Sequence, residues 1–364
     1  MYNNNILYIR MNIVYFTGGN GIVWTPADKG LGGSEQAVVH LSENWVKMNN
    51  IVTVYGNFEK DINLNGVSYL VWNKFIEEQN LDKPNSVLIV WRTPGIFMMM
   101  DYMKLNPRFK PNKMIVDFHD NFSYTLVHLD QPTLLDYFKK VDQFNVKSNY
   151  HKNCLLEYTN IDPGKINVIL NGVRIEEFKN NNNYIRNPYR FCYCSSYDRG
   201  LQTILEKIWP HIYAMEPKAE LHIYYGMDHI YDDNFKTRLK LLMGQPGVMD
   251  HGRQPVDMVV REKYMSSFHL YMNNSVAEID CISIRESLVT GCIPVISSFG
   301  VFKERNGLQF NWEPSNDTLC KMIAMDLVAK MNDNNFMISA REQLIKSETI
   351  IGWDTVAKDW LKKM

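Results

Sequence analysis

The chain of 364 residues contains no hydrophobic run of about 18 residues, the length that a membrane-spanning helix requires. Residues 1–5 carry neither a basic segment nor a long apolar one, so we expect no signal peptide. There is no run of five or six like charges, and 39 basic against 40 acidic side chains give a formal net charge of -1. Nucleic-acid binding would therefore need a local basic patch, and we expect no nucleic-acid partner.

Other signatures are missing as well. Six cysteines are no disulfide framework in a chain of this length, and a reducing, cytoplasmic compartment is the simpler interpretation. The sequence has neither G-x-S-x-G nor a Walker A lysine loop, which argues against serine hydrolases and P-loop kinases. It has no Asp-x-Asp pair, and its cysteines and histidines lack the spacing of metal ligands. We therefore expect neither a metal ion nor a resident cofactor.

What the chain does contain is two successive series of strand-like and helix-like segments. The first series opens with a β-rich run at residues 12–17, and the second opens at residues 190–194. The polar stretch at residues 180–183 is the clearest break in composition, so we predict a linker there. Alternation of this kind predicts parallel sheets with right-handed crossovers. The fold class is thus α/β, with two Rossmann-like domains facing a cleft where ligands bind beyond the carboxyl ends of the strands.

Two glutamates eight positions apart are the most specific chemical signal. Glu278 falls in a loop, and Glu286 falls in the first turns of a helix predicted at residues 284–290. Ionised carboxylates accept hydrogen bonds from the vicinal hydroxyls of a ribose or a hexose, while amides between them, at Ile282 and Ser283, can hold a diphosphate. The alternative is a solvated acidic loop with an N-terminal helix charge.

A glycine-rich loop at residues 30–34 precedes a helix predicted at residues 36–48, with Ser34 as its N-cap. Glycines let the backbone approach a ligand, and free amides at a helix start attract a phosphate, although such glycines also serve ordinary turns. A nearby Gly-x-Gly resembles the dinucleotide fingerprint, but Trp24 stands where the third glycine belongs. This position argues against a nicotinamide- or flavin-dependent oxidoreductase.

Two further side chains follow predicted strands. Arg199 lies where the second domain's first strand turns into a helix, and its guanidinium can bind a phosphate or pair with Asp198. His119 follows the strand predicted at residues 113–118, where it can bond a sugar hydroxyl, move a proton or serve a structural role.

Taken together, these segments resemble family-4 retaining glycosyltransferases of the GT-B fold, from about Asn12 to the C-terminal helix. The segments that carry the resemblance are residues 30–35, 119–120, 171–173, 199–201 and 225–226, and the pair Glu278 and Glu286 followed by Gly-Cys-Ile-Pro-Val-Ile. The resemblance implies an acceptor-side domain at residues 1–183, a donor-binding domain at 184–345, and a terminal segment at 346–364. The helix in that last segment would pack back on the first domain.

The resemblance also implies roles for the matching residues. Glu286 would bind the donor's ribose, Glu278 would reach the transferred sugar, and Arg199, at the family's Lys-Gly position, would neutralise the diphosphate. Gly32 and Gly33 match the first-domain loop that approaches the same diphosphate. His119 matches the histidine that contacts the sugar ring.

The implied activity is metal-independent transfer of a sugar, with retention, from a nucleotide-diphosphate sugar to a carbohydrate or glycoconjugate hydroxyl. Ser195 and Ser196 stand where many relatives carry a second arginine, and Arg253 is a candidate to replace it. The alternatives are an epimerase or a phosphorylase of the same fold, or a silent protein that binds a nucleotide sugar.

Overall fold

The computed structural model describes residues 10–19, 23–28, 30–78, 80–123, 131–179, 183–228, 230–275 and 277–364. Residues 1–5, and residues 180–182 of the predicted linker, lie outside the described residues. The chain forms two compact units: Met1–Asn171 with Trp353–Met364, and Gly172–Gly352. No helix in the described part of the chain is both long enough and apolar enough to cross a membrane.

The first unit contains an eight-stranded sheet in the order β3-β4-β2-β1-β5-β6-β7-β8. Its strands are β1 (Asn12–Gly18), β2 (Ile51–Gly56), β3 (Ile62–Leu64), β4 (Val67–Val71), β5 (Ser86–Trp91), β6 (Met114–Asp117), β7 (Gln143–Val146) and β8 (Ile166–Val168). Neighbouring strands pair in parallel, except that β3 and β4 form an antiparallel hairpin at the edge. The hairpin turns at Asn65 and Gly66, whose φ angles of 51° and 82° suit this residue pair.

Helices cover this sheet because parallel strands need crossover connections. They are α1 (Gly33–Lys47), α2 (Arg92–Leu105), α3 (Gln131–Phe138) and α4 (Asn149–Tyr158), with short 3-10 turns at Trp72–Glu77 and Pro163–Lys165. The side chain of Ser148 caps α4 by accepting the amide proton of His151.

The second unit contains a six-stranded sheet in the order β11-β10-β9-β12-β13-β14, and all its described pairs are parallel. Its strands are β9 (Asn187–Cys194), β10 (Glu220–Tyr224), β11 (Val248–Asp250), β12 (Ser266–Tyr271), β13 (Ile293–Ser297) and β14 (Leu308–Phe310). Its helices are α5 (Ile175–Lys179), α6 (Leu201–Lys207), α7 (Trp209–Met215), α8 (Asp233–Met243), α9 (Val256–Met265), α10 (Ile282–Thr290), α11 (Asp317–Met331) and α12 (Asn334–Leu344), with a 3-10 turn at Gly300–Glu304.

The last helix, α13 (Trp353–Lys363), belongs to the first unit. Its Trp360 ring lies edge-on to Trp45 of α1, with ring centroids 5.6 Å apart. The indole N–H of Trp45 also donates to the carbonyl of Ala357 at 3.1 Å. Two large apolar rings buried in this way hold the end of the chain on α1.

The division between the units differs from the sequence prediction of 183/184. It falls at Asn171, because α5 packs against α10 and therefore belongs to the second unit. That unit ends at Gly352 rather than at 345. The sequence pattern also predicts one helix over residues 201–214. The structure has two helices there, because Pro210 lies in the first turn of α7 and has no amide proton to continue α6.

Candidate functional site

The strand order of the second sheet marks one place where a ligand is expected. From β9 the chain moves outward through β10 and β11, and it then returns to pair β12 on the other side of β9. Open α/β sheets bind ligands beyond the carboxyl ends of strands at such a reversal. The loop after β9 carries Arg199, and the loop after β12 carries Glu278. The structure therefore brings these two predicted residues to the same edge of the sheet.

Arg199 and Glu278 form an ion pair there. A guanidinium nitrogen of Arg199 donates to Oε2 of Glu278 at 2.6 Å. The Arg199 side chain is 40% exposed, whereas that of Glu278 is 10% exposed. The adjacent Glu278 carboxylate raises the pKa of Arg199 above its ordinary value, although partial burial opposes this shift. The result is a fixed cation, open to solvent on one side, backed by a largely buried anion.

Glu278 is held by further donors. The hydroxyl of Tyr271, the last residue of β12, donates to Oε2 at 3.2 Å, and the amide of Cys281 donates to Oε1 at 3.0 Å. Ser195 extends the network by donating to the Tyr271 hydroxyl at 3.3 Å. Ser195 is one of the two serines that stand where the resemblance leads us to expect a second arginine. In this chain that position supports Glu278 through Tyr271 rather than adding a charge.

The backbone geometry at position 200 requires the glycine that follows Arg199. Gly200 has a φ of +89°, and it is the N-cap of α6. A Cβ placed on this residue would lie 2.3 Å from the carbonyl oxygen of Met272. Only glycine allows the loop after β9 to turn this closely against the end of β12, and this approach positions Arg199 beside Glu278.

Glu286 lies in α10, but its carboxylate is engaged by two cations. Arg174 donates to Oε1 through Nε at 3.1 Å and Nη2 at 2.7 Å, and Lys263 donates to Oε2 at 3.2 Å. The Glu286 side chain is 6% exposed and that of Lys263 is fully buried. Burial alone would raise the pKa of Glu286, but Arg174 and Lys263 outweigh it and lower the pKa to about 2. Glu286 is therefore ionised and anchors two elements of the unit.

Ile282 and Ser283 form the first turn of α10, as the sequence predicted for the segment between the glutamates, although the helix begins earlier than residue 284. The N-cap residue, Cys281, has a φ of +59° and makes no side-chain capping bond. Ser283 instead uses its hydroxyl to bond the carbonyl of Cys194 at 2.7 Å, which ties α10 to the end of β9. The start of α10 thus follows directly from the loop that holds Glu278.

Sequence reasoning missed the residue that fixes this loop. Asp280 lies between two buried arginines: Arg305 donates to its Oδ1 at 2.8 Å and to its carbonyl at 2.7 Å, and Arg285 donates to Oδ2 at 3.2 Å. All three residues are less than 5% exposed. Arg285 also donates to the carbonyl of Thr349 at 2.8 Å. Arg285 lies five positions after Asp280, but Arg305 lies 25 positions away, and nothing in the local pattern shows that Asp280 joins the two.

Arg253, the candidate replacement cation, follows β11 in the same unit. Its amide nitrogen would lie 3.2 Å from a Cβ placed on Gly226, which has a φ of +89° in the loop after β10. Arg253 is therefore packed beside the loop at residues 225–226 that carried part of the resemblance.

In the first unit, the glycine loop leads into α1 one turn earlier than predicted. Gly32 is the N-cap and Gly33 the first helical residue, so the assignment of Ser34 as the N-cap was wrong. The carbonyl of Gly32 accepts the amide proton of Gln36 at 2.9 Å, which starts the helical bonding before Ser34. Gly32 also leaves room for Glu35, because a Cβ there would lie 2.6 Å from a carboxylate oxygen of Glu35.

His119 lies at the carboxyl end of β6, inside a buried network around Asp117. Its Nε2 is 2.9 Å from Oδ2 of Asp117, and Lys147 and the hydroxyl of Tyr15 bond the same carboxylate. The His119 side chain is only 2% exposed. Burial, reinforced by Lys147, lowers the pKa of His119, although Asp117 opposes the shift. His119 is therefore neutral near pH 7, and the bond to an ionised Asp117 assigns the proton to Nε2.

Sequence reasoning also missed Arg92, a cation that directly follows β5 at the carboxyl-end edge of the first sheet. It is the first residue of α2 and has a φ of +55°, a strained value for a side chain of this size. Its guanidinium donates to both carboxylate oxygens of Asp120, at 3.1 and 2.8 Å, and lies 3.5 Å from Glu35. Arg92 thereby links the start of α1 to the loop that carries His119.

A scan against family models and a search of curated proteins found no match. The search of solved structures did find full-length likenesses. Sucrose-phosphate synthase from Thermosynechococcus elongatus has a TM-score of 0.73 at 14% identity, covering 97% of this chain and 98% of that one. HepE from Anabaena, in complex with UDP and glucose, has a TM-score of 0.71 at 12% identity, covering 97% and 99%. The catalytic domain of starch synthase IV from Arabidopsis thaliana, bound to ADP and acarbose, has a TM-score of 0.65 at 10% identity, covering 97% and 98%.

These likenesses span nearly the whole of both chains, and they match two parallel sheets with their surrounding helices. The prediction of a GT-B fold is confirmed. At such low identity the likeness shows the fold alone.

Proposed function

We propose that the protein is a retaining glycosyltransferase, which moves a sugar from a nucleotide-diphosphate sugar to a hydroxyl of a carbohydrate or glycoconjugate without a metal ion. The observation that carries the proposal is the pair of Arg199 and Glu278 at the strand-order reversal of the second sheet. An anion that binds there would meet a guanidinium with 40% of its side chain exposed. Two structural neighbours, HepE with bound UDP and starch synthase IV with bound ADP, support the same choice of ligand.

In this proposal the diphosphate accepts hydrogen bonds from Arg199 and from the first amides of α10, at Ile282 and Ser283. The bond between C1 of the sugar and the phosphate oxygen breaks, and its electron pair stays on the leaving diphosphate. The acceptor oxygen forms the new bond at C1 from the same face, and its proton passes to that diphosphate oxygen. Arg199 and the amides stabilise the charge that develops on the leaving group.

Glu278 would accept a hydroxyl of the transferred sugar. One of its oxygens is bonded to Arg199 and Tyr271, whereas the other accepts, within the described part of the chain, only the amide of Cys281. An ionised carboxylate has about four lone-pair sites, so a further hydroxyl can be accommodated. This argument places the sugar beside the cation that holds its leaving group.

Glu286 would bind the ribose, with one restriction. Arg174 occupies Oε1 with two hydrogen bonds and Lys263 occupies Oε2 with one. Of about four lone-pair sites, one therefore remains for a ribose hydroxyl. Binding both hydroxyls of the ribose would require Arg174 to give up a bond.

The first-unit residues are assigned lesser parts. Gly32 and Gly33 would bring amides of α1 to the diphosphate, and His119 would contact the sugar through its ring or backbone. Because His119 is neutral and bonded to Asp117, we assign it a positioning role rather than that of an acid.

The test begins with a thermal-shift screen against UDP-glucose, ADP-glucose and GDP-mannose. A donor at about 100 times its Kd should raise the Tm by roughly 5–10 °C. The donor that binds is then incubated with oligosaccharide acceptors, and the released nucleoside diphosphate and the glycosylated product are measured by mass spectrometry.

Arg199→Met should cut the Tm shift at that donor concentration to about half or less and slow the release, while Arg238→Met should change neither. Arg238 is a fair control because it forms a comparable 2.9 Å pair with Glu206 on the surface of the same unit. Binding of a nucleotide sugar without release in the presence of any acceptor would indicate the silent binding protein instead. Failure of every nucleotide sugar to bind would contradict the proposal.

A further inference from the structure

A separate pocket lies in the first unit, lined by none of the residues around Asp117. Its volume is about 250 Å³, and its walls come from β1, the 3-10 turn at Trp72–Glu77 and one face of α2. On α2 the lining residues Met98, Asp101, Tyr102 and Leu105 follow the spacing i, i+3, i+4, i+7 that places side chains on one face of a helix. One wall of the pocket is therefore formed by side chains on a single face of α2.

Aromatic rings make most of the remaining wall. Phe75 packs against Phe16 with ring centroids 4.8 Å apart and meets Tyr102 edge-on at 5.3 Å. Trp72 completes the lining from the same 3-10 turn. Rings already held in tilted and edge-on contacts offer a further ring the same favourable geometry without reorganisation.

The rim of the pocket is apolar and exposed. Ile76 is 60% exposed and Leu105 is 83% exposed, although both line the pocket. A single exposed apolar side chain is ordinary, but two beside an aromatic cavity offer area that a ligand would remove from water. Asp101 is the only charged residue among the described residues that line the pocket, and its exposed carboxylate pairs with Lys104 at 3.3 Å. Carboxylate and phosphate ligands are disfavoured because burying their charge against apolar walls without a cation costs free energy.

We propose that this pocket binds a neutral aromatic group of one or two fused rings. A cavity of about 150 Å³ lined by apolar side chains is known to hold benzene, so the larger volume of about 250 Å³ suits a two-ring molecule. The ring would stack against Trp72 and Tyr102, with a polar substituent near Asp101. This site needs no nucleotide sugar, so it stands independently of the proposed function.

An occupant would also touch side chains that contact Gly19, the residue directly after β1. The amide of Gly19 donates to Sδ of Met98 at 2.9 Å. A Cβ placed on Gly19 would lie 2.2 Å from Nε1 of Trp72, so the backbone of Gly19 packs directly on this indole. Signals from Met98 and Gly19 therefore report on the pocket.

The test titrates the full chain with 2-naphthol while the Met98 ε-methyl signal, assigned with Met98→Leu, is followed by NMR. We expect a saturable shift with a Kd of about 1 mM or tighter, as for a well-seated small fragment. Negatively charged 2-naphthoate should bind at least about five-fold more weakly, because its carboxylate would lose water in an apolar pocket whose described lining includes no cation. Absence of a saturable Met98 shift, or equal binding of the two compounds, would overturn the proposal.

A second test introduces a charge at the rim of the pocket. Ile76→Glu should weaken 2-naphthol binding at least about ten-fold, because it places a carboxylate where an apolar contact was. Ile338→Glu is the matched control, since Ile338 is 57% exposed on α12 and lines no part of this pocket. If Ile76→Glu does not fold, Leu105→Glu replaces it at the other side of the rim. Binding as tight as in the wild type by a folded rim variant would contradict the assignment.

Discussion

Replacing Glu286 with glutamine should destabilise the protein by an amount that depends on pH. The pKa of Glu286 is lowered from 4.5 to about 2, so its ionised form contributes about 3 kcal/mol to folding at neutral pH. A lowered folded-state pKa means that this contribution is fully present above about pH 4.5 and is lost as the pH falls toward 2. Glutamine keeps the shape but not the charge, so it mimics the protonated side chain.

The assay is urea unfolding of the wild type and Glu286→Gln at several pH values. The difference in the free energy of unfolding should be about 3 kcal/mol at pH 7 and roughly half of that at pH 3. Glu177→Gln is the control, because Glu177 lies 3.7 Å from the same Arg174 but is 48% exposed and has a raised pKa. That variant should be no less stable than the wild type. A Glu286→Gln protein as stable as the wild type at pH 7 would refute the ion-paired role of Glu286.

Three further outcomes follow from the same contacts. Gly200→Ala should cost at least about 2 kcal/mol of stability in urea unfolding. Gly252→Ala is the control and should cost about 1 kcal/mol, because Gly252 has a φ of +62° but nothing lies within 4 Å of the new Cβ. Equal losses would contradict the close approach at Gly200. Asp280→Asn should cost about 3–5 kcal/mol by the same measurement, because two buried arginines lose their counter-charge, and a loss below about 1 would be inconsistent with that network. Lys147→Met should raise the pKa of His119 in an NMR titration, since the cation lowers it; an unchanged pKa would argue against their coupling.

Much of the fold follows from local pattern. The sequence pattern predicts helices at residues 317–331 and 353–363, and these are the bounds of α11 and α13. The strands at the start of both units lie within a few residues of their predicted positions. Each of these segments carries its own signal, because burial of one face imposes a period that can be read along the chain. The single helix predicted over residues 201–214 is two helices, α6 and α7, because the missing amide proton of Pro210 outweighs a continuous apolar pattern.

The contacts within the candidate site were harder to predict from local sequence pattern. Arg199 and Glu278 were predicted because each stands in a short motif after a strand, and the strand order then brings them together. The partners of Glu286 were not predicted, since Arg174 is 112 positions away and only the fold places it there. The same holds for Asp280, whose bond to Arg305 spans 25 positions. Hydrogen-bond partners of this kind depend on tertiary packing, which no local period encodes.

The central claim is that Arg199 holds the diphosphate of a nucleotide ligand, and calorimetry on wild type and Arg199→Met tests it most directly. Each protein is titrated with the nucleoside diphosphate selected by the thermal-shift screen, UDP, ADP or GDP, and with the corresponding nucleoside. A charge-assisted bond of about 1.5–3 kcal/mol predicts a roughly 10- to 100-fold weaker Kd for the diphosphate in the variant and an unchanged Kd for the nucleoside. An equal loss for both ligands, or no loss for the diphosphate, would contradict the claim.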